Sequence, residues 1–534
     1  MVVLILREKK IILNVFSGAY QLFNKSILLL LLLGQISCGG GSGNSNSNAN
    51  TGGPIDSPVG ADEQPVISSF TFLKANNPVL ESDITLSIKD QNITGRVVSN
   101  SPVDSLVATV EHEGSSLSVA DIGQTSGSTE NDFTDLVTYT VTTADGRESD
   151  YRVDLMKFTG LPIIYLQTDD NLAIESKEDY VEGTIVVDGG REFAGLAETS
   201  MKIRGRGNST WGLHPKKPYQ MKMSDSAEFL GMPKDKKWLF LAEYSDKTML
   251  RNTIAFEMGH LSSLDWTPKH QFAEVYLNQE YNGTYNITQK VEEDGDRVDI
   301  GDDGYLLEID QPERLDADDV FFNTEQFLIN IKSPDLNWDD SQYVYIKQLI
   351  NDFETTLFSN NFAHPDSGYA QHIDIESFID WYLISEIVKN QDSQSFSSIF
   401  MHVIPGEKIK MGPLWDFDLA FGNVDYSDSR YPEGFWVKYH PWYQRLFDDP
   451  AFVAQVKSRF AFYRANQDLI LQKIDSYAAK LTYAQEENNN RWQTLGKYVW
   501  PNPVYFDSYE EEVAHLKSWY NQRMDWLEEA YESL

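Results

Sequence analysis

The chain has very little cysteine, and this excludes two kinds of structure. Cys38 is the single cysteine among 534 residues. A disulfide within the chain is therefore impossible, and no cluster of thiolate ligands can form around a metal ion. Histidine is sparse as well, and His260, His270 and His402 show none of the short spacings typical of metal ligands.

Basic residues are also few for a chain of this length. Lysine and arginine number 44 against 81 aspartates and glutamates, which gives a formal net charge of −37. Nucleic acid is thereby disfavoured as the main partner, because a phosphate backbone needs neutralising lysines and arginines. The acidity is typical of a well-solvated protein outside the cytoplasm.

Long apolar runs are confined to the leader. Lys25 precedes the apolar run 27–33, which ends at Gly34-Gln-Ile-Ser-Cys38. A basic flank, a short apolar core and a small residue before the cleavage site indicate an export signal. The arrangement resembles a bacterial lipoprotein signal with Cys38 as the lipidated first residue, although Gln35 stands where leucine is usual. The alternative is a cleaved secretory signal with an incidental cysteine.

Membrane attachment is predicted to be by lipid alone. No later run approaches the roughly 18–20 apolar residues that span a bilayer. The sequence therefore predicts a signal over 1–38 and an exported protein of the bacterial cell envelope.

The remaining chain is too long for one core, so two or three domains are expected. It is 41% hydrophobic and 13% aromatic, which indicates folded domains. Residues 39–64 are rich in glycine, serine and asparagine and predict a flexible linker. Residues 65–158 predict an all-β Ig-like sandwich that acts as a spacer or weak binding module, from short alternating strands separated by turn signals. Residues 159–534 mix strands and helices, with a helical C-terminal part.

The first half of the mixed region has a distinctive order of elements. A strand at 199–204 leads into the glycine-rich turn 205–212. The returning strand 216–223 alternates with period two and carries Lys222. A helix is predicted to begin at Asp246, and a hairpin follows over 272–288.

The second half ends in acidic residues. A periodic helix from Asp374 is followed by a polar loop containing Asp392. A hairpin over 398–411 then leads to Asp416 and Asp418. Two carboxylates two residues apart can hold one hard cation such as Mg²⁺. The alternative is an acidic turn that merely ends a core strand.

Protein kinases assemble their site from elements in this order. A glycine-rich turn lets backbone N–H groups approach phosphate, and a lysine opposite it neutralises phosphate charge. We predict Lys222 for that lysine, with Lys216 and Lys217 as alternatives. Asp392 could accept the proton of an acceptor hydroxyl. The predicted phosphate cradle comprises Gly205, Arg206, Gly207, Asn208 and Ser209.

Six motifs in the same order resemble the spore-coat protein H (CotH) kinase family. They are Arg204-Gly-Arg-Gly-Asn-Ser-Thr-Trp211, Lys216-Lys-Pro-Tyr219, Leu250-Arg-Asn-Thr253, Tyr276-Leu-Asn278 with Tyr281-Asn-Gly-Thr-Tyr285, Lys389-Asn-Gln-Asp392 and Gly412-Pro-Leu-Trp-Asp-Phe-Asp-Leu-Ala-Phe-Gly-Asn423. The resemblance covers roughly residues 161–446. It implies an α+β, divergent protein-kinase-like domain that uses ATP and Mg²⁺. It also implies that Asp392 is the catalytic acid and Asp416 the metal-binding acid.

The sequence departs from ordinary kinases at three positions. It has no His-Arg-Asp, Ser397 stands five residues after Asp392, and the metal-binding acid lies in Asp-Phe-Asp. Asp418 or Asn423 would then supply the second metal ligand.

Two charged residues on the predicted helix from Asp246 have open roles. Arg251 could reach a phosphate or pair with a neighbouring acid, and Glu257 could pair with the phosphate lysine or lie exposed.

The sequence thus predicts an exported atypical protein kinase with a protein as its substrate. The alternatives are a non-catalytic surface adhesin and an enzyme that transfers AMP at the same site.

Overall fold

A computed structural model describes residues 64–534 except 81, 99, 100 and 191, and these residues form one compact unit. The predicted export signal, Cys38 and residues 39–63 of the predicted linker lie outside the described residues. Within the described part, an N-terminal β-rich region precedes a mixed α/β region with many helices. No helix found there is long and apolar enough to cross a bilayer.

The N-terminal region consists of short strands around one apolar core. A three-stranded and a six-stranded sheet contribute to this core, which contains Phe70, Phe133 and Tyr139. The rings of these residues pack edge-on or stacked. The last strand pairs parallel with the fourth, and all other pairings here are antiparallel. The strands are Ile67–Phe72, Ile84–Thr85, Ser87–Lys89, Asn92–Val98, Leu106–Val107, Thr109–His112, Ser116–Val119, Ile122–Gly123, Glu130–Asn131, Val137–Thr142 and Glu148–Phe158.

A closed seven-stranded barrel follows. Period-two alternation points residues such as Ile203, Met221 and Met223 into its interior, where they are buried. The barrel closes where its first strand pairs parallel with the strand that begins at His270. In chain order the strands are Ile163–Thr168, Val181–Asp188, Leu196–Gly205, Tyr219–Phe229, Met232–Leu241, His270–Leu277 and Glu280–Gln289.

A second, larger core lies between a five-stranded sheet and the helices. The sheet contains Tyr305–Asp310, Val320–Asn323, Leu328–Ser333, Ile399–Val403 and Lys410–Met411. The α-helices of the described residues are Ser209–Leu213, Arg251–His260, Ser341–Leu357, Ile375–Ile387, Pro441–Leu446, Pro450–Ala465, Gln467–Lys480, Thr482–Trp492 and Tyr509–Glu532.

Helix Ile375–Ile387 and the hairpin after it agree with the sequence prediction. Asp374 caps this helix by accepting a hydrogen bond from Ser377 N at 2.8 Å.

The predicted start of the helix at Asp246 is wrong by five residues, because this helix begins at Arg251. The Asp246 carboxylate accepts hydrogen bonds from Thr248 N and Arg251 N, which stabilises a turn before the helix.

Candidate active site

One open cavity lies where the barrel meets the segment after strand Lys410–Met411. Its acidic end contains Glu243, Asp416 and Asp418. Two cations, Arg206 and Lys216, line the same cavity. The elements that supply them are distant in sequence, so the closed barrel and its packing against the second core create this site.

The backbone of Asp416 is held in a conformation that few non-glycine residues adopt, with φ 66. Asn390 Nδ2 donates to its carbonyl oxygen at 3.2 Å, and Phe417 N donates to Asn252 Oδ1 at 2.7 Å. Ser398 Oγ lies 3.4 Å from its carboxylate. Strained residues that the surrounding structure holds in place concentrate at functional sites.

The acidic end holds more negative charge than its surroundings favour. Burial raises the pKa of Asp418 well above its usual range, and Asp416 and Glu243 raise it further. Burial likewise raises the pKa of Glu243 to about 8, with a further contribution from Asp246. Carboxylates arranged this way are stabilised by a bound cation.

The donor atoms at this end fit a hard cation such as Mg²⁺. Asp416 and Asp418 offer carboxylate oxygens, and the buried Asn390 Oδ1 has no hydrogen-bond partner within the described part of the chain. Among the described residues no three histidine, cysteine, aspartate or glutamate side chains form a metal site by themselves. An ion here would therefore complete its shell with amide, water or phosphate oxygens, as Mg²⁺ commonly does.

Lys216 is the buried lysine of the cavity. Its ammonium donates to Thr284 O and to Asn488 Oδ1, the latter at 3.0 Å, and lies over the Tyr285 ring. Burial lowers the pKa of Lys216 to about 7, opposed by the charges of Glu243 and Glu274. An anion bound beside it would raise that pKa again, because an opposite charge favours the ammonium form.

Lys222, the lysine predicted from the sequence, does not lie in this cavity. It pairs across the sheet with Lys202 and Lys237, while its neighbours Met221 and Met223 point into the barrel. The strand alternation therefore places Lys222 on the outer face of the barrel. The structure brings Lys216, one of the two alternatives, to the acids instead.

The glycine-rich turn lies at the edge of the cavity and is tightly packed. A side chain at Gly205 would meet the Trp211 ring at 2.4 Å, and Gly207 has φ +80. Arg206 lines the cavity and its guanidinium lies over the Trp415 ring at 5.4 Å.

The other two residues of the predicted cradle lie away from the cavity wall. Asn208 and Ser209 are exposed, and Asn208 accepts a hydrogen bond from Lys177.

Asp392 begins the short helical turn Asp392–Gln394, directly after helix Ile375–Ile387. Burial raises the pKa of Asp392 to about 7, the charge of Asp416 adds to this, and Arg314 opposes it. Asn390 Nδ2 donates both to Ser393 Oγ and to Asp416 O, so the loop of Asp392 lies next to Asp416. The structure thus brings together Asp392, Asp416 and Asp418, which were predicted from the sequence.

Three further predicted residues, Arg251, Glu257 and Asn423, have structural partners. Arg251 is buried, forms an ion pair with Asp246 and donates to Ala420 O at 3.1 Å. Glu257 pairs with Lys473 at 3.0 Å and is not exposed.

Asn423 Nδ2 donates to Ser245 O and to Asp418 O, so it supports the acidic segment. No role was predicted from the sequence for Asn390 or Glu243. Only the motif Lys389-Asn-Gln-Asp392 pointed to Asn390.

Replacing the two lysines separately should distinguish them. If the cavity binds ATP, as we propose below, Lys216→Met is expected to weaken that binding by about 10- to 100-fold, because a charge-assisted contact to phosphate would be lost. Lys222→Met is the matched control and should bind ATP within about twofold of wild type. Isothermal titration calorimetry measures both, and a larger loss in Lys222→Met would contradict this placement.

Comparisons with known proteins find a family match in each part of the chain and matches among solved structures. Residues 67–155 match the family described as "SGBP, N-terminal". A search of curated proteins finds no match. A candidate glycoside hydrolase from Bacteroides thetaiotaomicron, solved at 2.05 Å, covers 55% of this chain and 89% of its own at 14% identity. Its TM-score is 0.17, which is too low to support any argument about fold or function.

The match that identifies the chain covers most of the mixed α/β region. Residues 203–527, more than half of the chain, match the family described as "CotH kinase protein". This range contains the glycine-rich turn, Lys216, Asp392, Asp416 and the helices that close the second core. The chain belongs to the CotH kinase protein family.

Proposed function

We propose that the chain is an exported protein kinase of atypical sequence, which transfers phosphate from ATP to protein hydroxyl groups and requires Mg²⁺. The observation that carries this proposal is one cavity in which Lys216 and Arg206 face Asp416 and Asp418. Phosphoryl transfer depends mainly on positioning and charge stabilisation, so this small set of groups is chemically sufficient.

The cavity suggests how a nucleotide would lie. His214 and Tyr244 line the cavity and pack against each other, with ring centroids 5.1 Å apart. A base would stack at this aromatic end. The phosphates would then extend past Lys216 and Arg206 towards Asp416.

The acids would act at the opposite end. Mg²⁺, when bound by Asp416, Asp418 and the Asn390 amide oxygen, would supply positive charge to the phosphate oxygens. Asp392 would orient the acceptor hydroxyl and take its proton. As the hydroxyl oxygen bonds to the γ-phosphorus, the bond from that phosphorus to the bridging oxygen breaks and ADP leaves. In this proposal Lys216 takes the phosphate-binding role that the sequence assigned to Lys222.

Binding of ATP without metal should weaken as the pH rises through about 7. Lys216 has a pKa lowered to about 7, so it carries its full positive charge below that pH and loses it above. Titrations in EDTA at pH 6 and pH 8.5 should differ by about tenfold, because each such contact to a charged group contributes about that much. Lys216→Met is the control, and an equal pH dependence in that variant would contradict the role of Lys216.

A second candidate function is a non-catalytic surface-binding protein. It is favoured by the match of residues 67–155 to "SGBP, N-terminal" and by the β-rich region there. The melting temperature discriminates between the two, because ligands that bind the folded state raise it. ATP with Mg²⁺ should raise it more than ATP alone, and no shift with either would favour the binding protein.

A different measurement distinguishes a third candidate function. Transfer of AMP instead of phosphate at the same site would release pyrophosphate, and mass spectrometry of the acceptor separates the two products.

The remaining proposals concern architecture and location. We propose an Ig-like fold for the N-terminal region and a divergent kinase-like arrangement for residues 159–534. The N-terminal match supports association with the cell surface or envelope. Lipidation at Cys38, which would anchor the protein, is proposed from the leader sequence alone.

A further inference from the structure

Arg314 is a cation that lies next to the loop containing Asp392. Among the described residues, no acid forms an ion pair with its guanidinium. It ends the short turn Pro312–Arg314, which follows strand Tyr305–Asp310. In the part of the chain that the structure describes, its guanidinium makes no ion pair and donates no hydrogen bond.

The position of Arg314 is fixed relative to Asp392. Its guanidinium lies over the Phe396 ring, 4.7 Å from the centroid, and Phe396 N donates to Asp392 O. Gln311 Nε2 donates to Phe396 O at 2.8 Å, which joins the turn before Arg314 to the Asp392 loop. Phe396 itself is 40% exposed, so the stacked pair faces solvent beside the loop.

These contacts place the charge of Arg314 beside the loop where the acceptor hydroxyl would approach Asp392.

We propose that Arg314 binds an oxyanion on the acceptor side of the site, through the planar fork of its guanidinium. This inference rests on the proposed function. The fork matches phosphate and carboxylate geometry with two parallel N–H donors. The oxyanion is either the phosphoryl group in transfer or a carboxylate that flanks the acceptor hydroxyl.

The test uses Arg314→Ala and Arg314→Lys of the exported chain, with the exposed Arg152 as the matched control, replaced by alanine. Each protein is assayed with Mg²⁺ and ATP on a serine-centred peptide library in which one flanking position at a time is fixed. If Arg314 holds the phosphoryl group, Arg314→Ala lowers kcat by about 10²–10³ on every peptide. If it holds an acceptor carboxylate, KM rises by about 10- to 100-fold for peptides with a flanking acid alone.

Two further readouts keep the outcomes distinct. The affinity for ATP with Mg²⁺ should be unchanged in Arg314→Ala, and Arg314→Lys should recover part of the loss, because it keeps the charge but not the fork. Binding of a phosphoserine peptide with glycine flanks, measured without nucleotide, should weaken in Arg314→Ala if the phosphoryl group is the ligand.

Wild-type behaviour of Arg314→Ala in both the transfer and the binding assay would overturn the inference. If the wild-type protein transfers no phosphate, the proposed function fails. In that case binding of the phosphoserine peptide, and of an unphosphorylated peptide with a flanking acid, is compared between the wild type and Arg314→Ala, and equal binding of both peptides overturns the inference.

Discussion

Asp416→Asn is expected to lower phosphoryl transfer by about 10³-fold, the scale of losing one preorganised group that stabilises charge. Asparagine is nearly isosteric and tolerates a positive φ, so the backbone at φ 66 should be retained. The variant loses a charged metal ligand while Asp418 and Asn390 remain. Intact-mass analysis of an acceptor protein after incubation with ATP and Mg²⁺ measures the effect.

The same variant should be nearly as stable as the wild type without ligands. Asp416 repels Asp418 but attracts Arg206, so the two effects of removing its charge oppose each other. We expect the free energy of unfolding to change by no more than about 1 kcal/mol. The stabilisation by Mg²⁺ should be lost. Asp170→Asn is the matched control, since Asp170 is an exposed aspartate with φ 52. Undiminished transfer by Asp416→Asn would reject the metal-binding role.

Asp392→Asn is expected to lower kcat by about 10²–10⁴-fold, the usual contribution of a positioned general base. Binding of ATP with Mg²⁺ should stay within about twofold of wild type, because Asp392 serves the acceptor and not the nucleotide. The matched control is Asp428→Asn, which changes an exposed aspartate that also begins a short helical turn.

The pH dependence of the wild type should also reflect this group. Burial and the charge of Asp416 raise the pKa of Asp392 to about 7. It accepts a proton only when ionised, so kcat should rise with pH and reach a plateau. Mg²⁺ next to Asp416 would offset the repulsion and move that plateau below about 7. A rate that falls with rising pH in this range would contradict the assignment.

The sequence predicted the order of elements around the site well, because that order follows from local patterns. The helix predicted from Asp374 and the hairpin predicted over 398–411 agree with the structure. Short alternating strands and capped amphipathic helices carry strong local signals. Asp392 and Asp416 could be proposed from the sequence because each lies shortly after such an element.

Closure of the barrel could not be read in the same way. It depends on parallel pairing of strand Ile163–Thr168 with strand His270–Leu277, about a hundred residues later. Nothing within either strand specifies that pairing, since the apolar pattern of a strand sets its buried face and not its partner.

The sequence predicted Lys222 near the acids, whereas the structure places Lys216 there, for a related reason. Lys216 precedes strand Tyr219–Phe229 and is held by Thr284 and by Asn488, which lies on helix Thr482–Trp492. These partners are long-range, and only the folded chain shows them. The period-two pattern around Lys222 was predicted correctly. Lys222 was assigned to the wrong face, because the apolar face of this strand fills the barrel.

We propose that this chain transfers the γ-phosphate of ATP to a protein hydroxyl using Asp392 and Asp416. The most direct test incubates the purified chain with γ-labelled ATP, Mg²⁺ and envelope proteins of its own cell and analyses the products by mass spectrometry. We expect phosphorylated serine, threonine or tyrosine with the wild type and none above background with Asp392→Asn or Asp416→Asn. Equal labelling by wild type and both variants, or attachment of AMP in place of phosphate, would contradict it.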